Sequence, residues 1–158
     1  MTTAAVSPAV RPGIARRGLE ILLRVITAAG LAVDAYVHVD LAGIYGNNPT
    51  GKINEGTLFL IEAGVASFAA LLVLVTGRRT AYAFAFLVAA SAFAAVMLNR
   101  YNMHVPTLGF LPNMYDGTWS TKKALSAVAE GVALVAAALG VMVAWSHRKE
   151  VVAVSDTR

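Results

Sequence analysis

The chain has 158 residues, of which 58% are hydrophobic and 14% are charged, and its formal net charge is +4 at pH 7. Water-soluble globular domains have close to a quarter charged residues, so this composition excludes that class. The absence of cysteine excludes disulfide scaffolds, thiolate catalysis and cysteine-ligated metal centres. In so apolar a chain, a basic excess is typical of a membrane surface rather than of nucleic-acid binding.

Three segments of the chain are long and apolar enough to be transmembrane helices. A helix needs about 20 predominantly apolar residues to cross the hydrocarbon core of a bilayer. Residues 56–76, 80–98 and 124–145 meet this requirement, and each contains at most one charged residue. Those charged residues are Glu62 in the first of these segments and Glu130 in the last.

A fourth segment, residues 18–42, has the length of a span but is more polar. Ionisable residues are costly in contact with lipid and usually face the interior of a bundle. We therefore expect this helix to turn its polar side toward the other three. Its ionisable residues are Glu20, Arg24, Asp34, His38 and Asp40.

Together these segments predict an all-α integral membrane protein, a single domain over residues 1–158 formed by a four-transmembrane-helix bundle. Residues 1–17 and 146–158 are expected to be polar tails. Basic residues are enriched on the cytoplasmic side of membrane proteins, which favours an inner-membrane location with both termini in the cytoplasm. One side would carry Arg11, Arg16, Arg17, Arg78, Arg79, His147, Arg148 and Lys149, and the other Lys52, Arg100, Lys122 and Lys123.

The three apolar spans are rich in alanine and glycine. Lipid gives helices no hydrophobic reason to associate, so close backbone packing and polar bonds must hold them together. We expect a compact bundle rather than a pore, so any transport path would need an oligomer. The small residues expected at helix contacts include Ala63, Ala66, Ala85, Ala89, Ala133, Ala137 and Gly140.

Ionisable side chains from three spans are predicted to meet in the outer half of the bundle. Asp34 and His38 are four residues apart and therefore neighbours on one helix face. Glu62 and Glu130 follow the outer starts of their helices by similar distances, at about 1.5 Å per residue. A carboxylate in hydrocarbon must pair, bind a ligand or hold a proton. Arg100, at the outer end of the third span, is expected to neutralise part of this acidic group.

The connection between the third and fourth spans, residues 99–121, is long and contains aromatic residues. Aromatic side chains are common at the boundary between water and lipid, whereas long ordered loops often have a functional role. The connection therefore either lies on the bilayer rim or covers a site beneath it. In the second case Tyr101 and Trp119 would contact the ligand.

Three interpretations of the polar residues remain open. They can form interhelical polar bonds in a purely structural subunit of a larger membrane complex. They can bind the polar head of a small amphipathic ligand, possible examples being lipoquinones, while the aromatic connection covers its apolar part. One imidazole and several carboxylates also suit a proton- or metal-coupled transporter, although the Glu-x-x-His pairs of di-iron bundles are missing.

The ligand-binding interpretation is the one adopted as the prediction, with no metal assigned. No phosphate-binding glycine loop and no hydrolase or metalloprotease motif is present, so catalysis is not predicted. The expected partners are the bilayer and either further copies of the chain or a larger membrane complex. The predicted ligand-binding residues are Asp34, His38, Glu62, Arg100, Glu130, Tyr101 and Trp119.

The second and third spans resemble the centre of DoxX-like proteins, which are small four-span membrane proteins. The similar features are Glu62 early in the second span, the small-residue run after it, the Gly77-Arg78-Arg79 turn and an alanine-rich third span. The Leu23-Arg24 pair also fits, so the resemblance covers residues 20–98. It implies a quinone-linked or accessory role, because that family includes accessory subunits of membrane oxidoreductases.

Overall fold

The computed structural model describes residues 12–46, 53–101 and 117–155, and for Pro12 and residues 146–155 it describes the backbone alone. These residues form four α-helices and no β-strand, which confirms the predicted all-α class. The helices are α1 (Pro12–Tyr45), α2 (Glu55–Thr76), α3 (Arg79–Tyr101) and α4 (Thr121–Ser155).

All four helices extend beyond the predicted spans, α1 and α4 by the most. α1 begins at Pro12 rather than at residue 18, and α4 continues to Ser155 rather than ending at 145. Residues 12–17 and 146–155, predicted as polar tails, are therefore helical. Hydropathy identifies only the apolar part of a helix, whereas backbone hydrogen bonding continues into polar sequence. Proline suits the first helical position because its missing N–H has no partner there.

Three helical segments are long and apolar enough to cross a membrane: Glu55–Thr76, Arg79–Tyr101 and Thr121–Trp145. α1 does not meet the same criterion. All four helices nevertheless turn large apolar side chains outward, and α1 does so on the side opposite its buried polar residues. These exposed side chains include Val25, Val33, Tyr36, Val39, Leu71, Val75, Leu87, Val128, Val135 and Met142.

The helices are arranged in a ring in chain order. α1 packs against α2 and α4, while α3 packs against α4 and α2, so that α1 and α3 lie diagonally across the bundle. The end that contains Gly77 and Arg78, between α2 and α3, is called the short-turn end below. The opposite end, where α1 and α3 finish and α2 and α4 begin, is called the long-connection end.

The core consists largely of alanine, as the sequence predicts, and two glycines mark close approaches between helices. A Cβ atom on Gly30 would lie 2.8 Å from the carbonyl oxygen of Ala129 and 2.9 Å from the Cβ of Ala133. This brings the backbones of α1 and α4 almost into contact. Gly140 similarly receives the ring of Tyr82, since a Cβ there would lie 2.3 Å from the ring.

The helix ends are fixed by local capping. Asn54 accepts a 2.7 Å hydrogen bond from the backbone N–H of Thr57 at the start of α2. Gly77 ends α2 in the left-handed conformation, with φ of 53°, and its N–H donates to the carbonyl of Val73. Ser120 caps α4 by accepting from the N–H of Lys123 at 3.2 Å. The two-residue turn after α2 therefore holds α2 and α3 as an antiparallel hairpin.

Candidate functional site: a buried polar cluster between α1 and α4

The polar cluster consists of Asp34 and His38 on α1 with Ser126 and Glu130 on α4. Each pair is spaced by four residues, so its two members lie on the same face of their helix. Asp34 and Glu130 have an exposed fraction of 0%, and Ser126 and His38 are also buried. The cluster lies toward the long-connection end, where a further pair, Asp40 and Lys122, links the two helices at the surface.

Asp34 is the centre of the hydrogen bonding. Its Oδ1 atom lies 2.8 Å from Ser126 Oγ and 2.9 Å from His38 Nδ1. His38 Nδ1 also lies 3.0 Å from the backbone carbonyl of Asp34. Ser126 Oγ is at the same time 2.8 Å from Glu130 Oε1. A continuous chain of hydrogen bonds thus runs from His38 through Asp34 and Ser126 to Glu130.

The hydrogen atoms in this chain can be counted. A serine hydroxyl has one hydrogen to donate, and ionised carboxylates only accept hydrogen bonds. Ser126 can donate its hydrogen to only one of the two acids, Asp34 or Glu130. Its contact with the other acid is a hydrogen bond only if that acid is protonated and donates to the serine oxygen. One proton is therefore shared by Asp34 and Glu130. His38 Nδ1 carries a hydrogen as well, because both atoms that it contacts are acceptors.

Two carboxyl oxygens of the cluster take no part in this chain of hydrogen bonds. Asp34 Oδ2 and Glu130 Oε2 are buried and accept no hydrogen bond from an N–H or a hydroxyl among the residues that the structure describes, and the two carboxyl groups also interact directly with each other. Leaving a buried acceptor unsatisfied costs about 1–3 kcal/mol, so such atoms mark a place for a water, an ion or a polar ligand group. One ligand atom each from Asp34, His38 and Glu130 lie within 4.8 Å of one another. Nitrogen and carboxylate donors of this kind also suit Zn²⁺.

α2 contributes Glu62 and Phe59 beside the cluster. Glu62 interacts electrostatically with Asp34 and His38, but no hydrogen bond joins it to them. Its Oε1 atom is buried and lacks a partner among the described residues. The ring of Phe59 meets the ring of His38 edge-on at 5.5 Å between centroids. α2 therefore places a further acid, Glu62, and an aromatic ring, that of Phe59, next to His38.

Three of the predicted site residues are not joined to this cluster. The guanidinium of Arg100 lies 5.0 Å from the ring centroid of Tyr101, and it forms no ion pair with a described acid. His38, rather than Arg100, is the basic residue that contacts Asp34. Tyr101 and Trp119 are exposed, at 66% and 44%. Residues 102–116, most of the predicted aromatic cover, lie outside the described residues.

Sequence reasoning missed two members of the site, Ser126 and Phe59. Ser126 is neither ionisable nor aromatic, and the predicted site residues all have one of those two properties. Its spacing of four residues from Glu130 was the available signal. Phe59 precedes Glu62 by three residues and therefore shares its helix face, which is again a pattern that the sequence contains.

Comparisons with known protein families, with curated proteins and with solved structures find no match to this chain. The resemblance to DoxX-like proteins thus rests on the residues named above and stays a prediction.

Proposed function

We propose that the chain is a four-span accessory membrane protein that binds the polar head of a small amphipathic ligand, such as a lipoquinone, beside the buried polar cluster. The observation that carries the proposal is the pair of buried carboxyl oxygens, Asp34 Oδ2 and Glu130 Oε2, which accept no hydrogen bond from a described N–H or hydroxyl and belong to acids close to the His38 imidazole. These groups offer hydrogen-bond acceptors to the hydroxyls of a quinol. The second ring nitrogen of His38, Nε2, is a further hydrogen-bonding group for such a ligand.

Membrane insertion of α1 as the fourth span is supported by how its side chains are distributed. Asp34 and His38 face α4 and are buried, while Val33, Tyr36 and Val39 face outward and are exposed. A helix with this pattern presents an apolar surface to lipid and hides its ionisable residues in the bundle. The distribution of basic residues favours an inner membrane with both termini in the cytoplasm, which puts the cluster in the outer half.

Quinone binding can be tested with the two tryptophans as reporters. Trp119 precedes α4 at the long-connection end, and Trp145 lies near the short-turn end. Quinones quench tryptophan emission at short range. Titration of a short-chain benzoquinone into detergent-solubilised Trp145→Phe protein should give saturable quenching of Trp119. The Trp119→Phe protein, which retains the emitter at the other end, should show only weak, linear quenching.

A substitution in the cluster that keeps the shape of the side chain tests whether the cluster binds the quinone. Glu130→Gln keeps a side chain that can hydrogen-bond Ser126 but removes the exchangeable proton, so we expect at least tenfold weaker quinone affinity. Asp40→Asn is the control because Asp40 is an exposed acid of α1 that pairs with Lys122 on α4, outside the cluster. Equal quenching of both tryptophans, or full affinity in Glu130→Gln, would contradict the proposal.

A purely structural role is the second candidate, and the contact that favours it is the Asp34–Ser126–Glu130 chain joining α1 to α4. If this role is the only one, Glu130→Gln will weaken assembly of the bundle or its complex while quinone never binds. The donor set of Asp34, His38 and Glu130 makes metal content a third outcome. Elemental analysis of the purified protein, with Asp34→Asn as the comparison, separates that outcome from the other two.

A further inference from the structure

A cavity of about 770 Å³ lies at the short-turn end, far from the polar cluster. It is bordered by α1 at residues 20–24, the turn between α2 and α3, the start of α3, and α4 at residues 140–145. Its volume is in the range of small-ligand sites. Its lining includes the three arginines Arg24, Arg78 and Arg79 together with Tyr82 and Trp145.

The cavity has an excess of positive charge. Three guanidinium groups line it, and Glu20 is its only acidic residue among the described ones. Glu20 has another cation beside it, since its Oε1 atom lies 3.8 Å from Arg16 Nε. Arg24 Nε is buried and has no hydrogen-bond partner in the described part of the chain. A buried guanidinium N–H without an acceptor is costly, so this atom favours an anionic ligand group at this position.

The turn between α2 and α3 is shaped around the Arg24 side chain. Gly77 adopts the left-handed conformation, and a Cβ atom there would lie 2.0 Å from Arg24 Cζ. The φ of 53° favours glycine at this position, and the Arg24 guanidinium lies against the side of Gly77 where a side chain would begin. Two parts of the chain far apart in sequence, α1 and the turn after α2, therefore converge on one cationic site.

The other side of the cavity is apolar. Ala83, Val143 and Ala144 line it. The Arg79 guanidinium lies over the indole of Trp145, 3.7 Å from the centroid of that ring. The cavity also lies where the apolar helices α2 and α3 meet their polar turn. That is the depth of the headgroups if these helices cross a bilayer. A ligand with an anionic head and an apolar tail matches such a site.

We propose that this cavity binds the phosphodiester headgroup of an anionic phospholipid, with Arg24 and Arg78 contacting the phosphate and Trp145 contacting the first acyl carbons. A guanidinium group can donate two parallel hydrogen bonds to the oxygens of a phosphate. In a zwitterionic lipid the negative charge of that phosphate is balanced by the lipid's own ammonium group, so the attraction to arginine is weaker. Basic pockets between membrane helices on the cytoplasmic side are suited to such headgroups. The proposal shares with the proposed function the insertion of α2–α4 in a membrane, but not the site at the long-connection end.

The test uses Trp119→Phe protein, in which Trp145 is the only emitter, reconstituted in nanodiscs. Brominated acyl chains quench a tryptophan that they touch. We expect phosphatidylglycerol with brominated chains to quench Trp145 at lower mole fraction than brominated phosphatidylcholine does. Each lining arginine is expected to contribute about fivefold to this preference. Arg78→Gln should therefore reduce it by about that factor, and Arg24→Lys, which keeps the charge but loses the fork, by less.

Arg17→Gln is the matched control, because Arg17 is exposed at the same end of α1 but does not line the cavity. An equal loss in Arg17→Gln would mean general surface attraction and would overturn the site. Displacement of phosphatidylglycerol by millimolar inorganic phosphate would assign the cavity to free phosphate instead of a lipid. Protein that enters nanodiscs but shows no lipid preference contradicts this proposal alone, whereas failure to enter them contradicts the proposed function as well.

Discussion

Ser126 on α4 lies 2.8 Å from Asp34 on α1, and the same hydroxyl lies 2.8 Å from Glu130 one turn further along its own helix. A neutral serine therefore connects two acids that face each other across a helix interface. Polar bonds of this kind take on more importance in a membrane because hydrophobic attraction does not favour one helix contact over another.

Replacing Ser126 by alanine should destabilise the bundle. The substitution removes both contacts and leaves the Oδ1 atom of Asp34 and the Oε1 atom of Glu130 facing a methyl group. We expect a loss of about 1–2 kcal/mol in the free energy of unfolding. Helical circular dichroism during titration with sodium dodecyl sulfate in mixed micelles measures it.

Ser91→Ala is the control for that experiment. Ser91 is exposed, and its hydroxyl donates only to the carbonyl of Val88 in the same helix. Its replacement should change the free energy of unfolding by no more than about 0.5 kcal/mol. Equal effects of the two substitutions would show that Ser126 does not bridge the helices.

The proton shared by Asp34 and Glu130 should be visible by infrared spectroscopy. A protonated carboxyl has a C=O stretch distinct from the bands of a carboxylate ion. The difference spectrum between the parent protein and Glu130→Gln should contain that band near neutral pH. Asp40→Asn should not produce it, because Asp40 is exposed and ion-paired with Lys122. Difference spectra with carboxylate bands alone would refute the hydrogen count.

The all-α fold and the meeting of Asp34, His38 and Glu130 could be predicted because both follow from periodicity. Apolar length sets the number of helices, and a spacing of four residues sets a face. The role of Arg100 could not be predicted in the same way. Whether its long side chain reaches an acid or stacks on Tyr101 depends on how α3 is rotated, which the sequence does not state. The structure places it against Tyr101.

The ion pairs at the short-turn end also could not be predicted from the sequence. Glu20 is in reach of Arg16 and Arg24, since each lies four residues away on α1. The structure pairs it with Arg16. Arg24 instead extends over Gly77, whose missing Cβ makes room for it. That choice depends on a tertiary contact between α1 and the turn after α2, so local spacing alone cannot decide it.

Gly30→Ala should separate α1 from α4 and weaken the cluster one turn away. The added Cβ would meet the backbone of Ala129 and the Cβ of Ala133, neither of which can move aside as the end of a long side chain can. We expect a loss of about 1–3 kcal/mol, measured by the same detergent titration. In Gly64→Ala, where the new Cβ meets no atom within 4 Å, we expect no loss. Equal stability of the two variants would contradict the close approach.

The position of α1 in the membrane can be tested with single cysteines, since the chain has none. Gly13 and Gly43 stand near opposite ends of α1, and a Cβ at either position meets no atom within 4 Å. If α1 crosses the bilayer, Gly43→Cys should react with a membrane-impermeant maleimide from outside intact spheroplasts. Gly13→Cys should react only after permeabilisation. Thr57→Cys and Thr80→Cys, at the two ends of the α2–α3 hairpin, give the reference for each side.

Labelling of Gly13→Cys and Gly43→Cys from the same side would mean that α1 lies along the membrane surface. That result is hard to combine with the contact between Asp34 and Ser126. Ser126 lies within a helical segment that is apolar enough to span, and Asp34 reaches it only if α1 runs beside α4 into the bilayer. If Asp34 lies at that depth beside Ser126, the face of α1 that is turned away from the bundle contacts lipid and must be apolar. The exposed Val33, Tyr36 and Val39 provide such a face on α1.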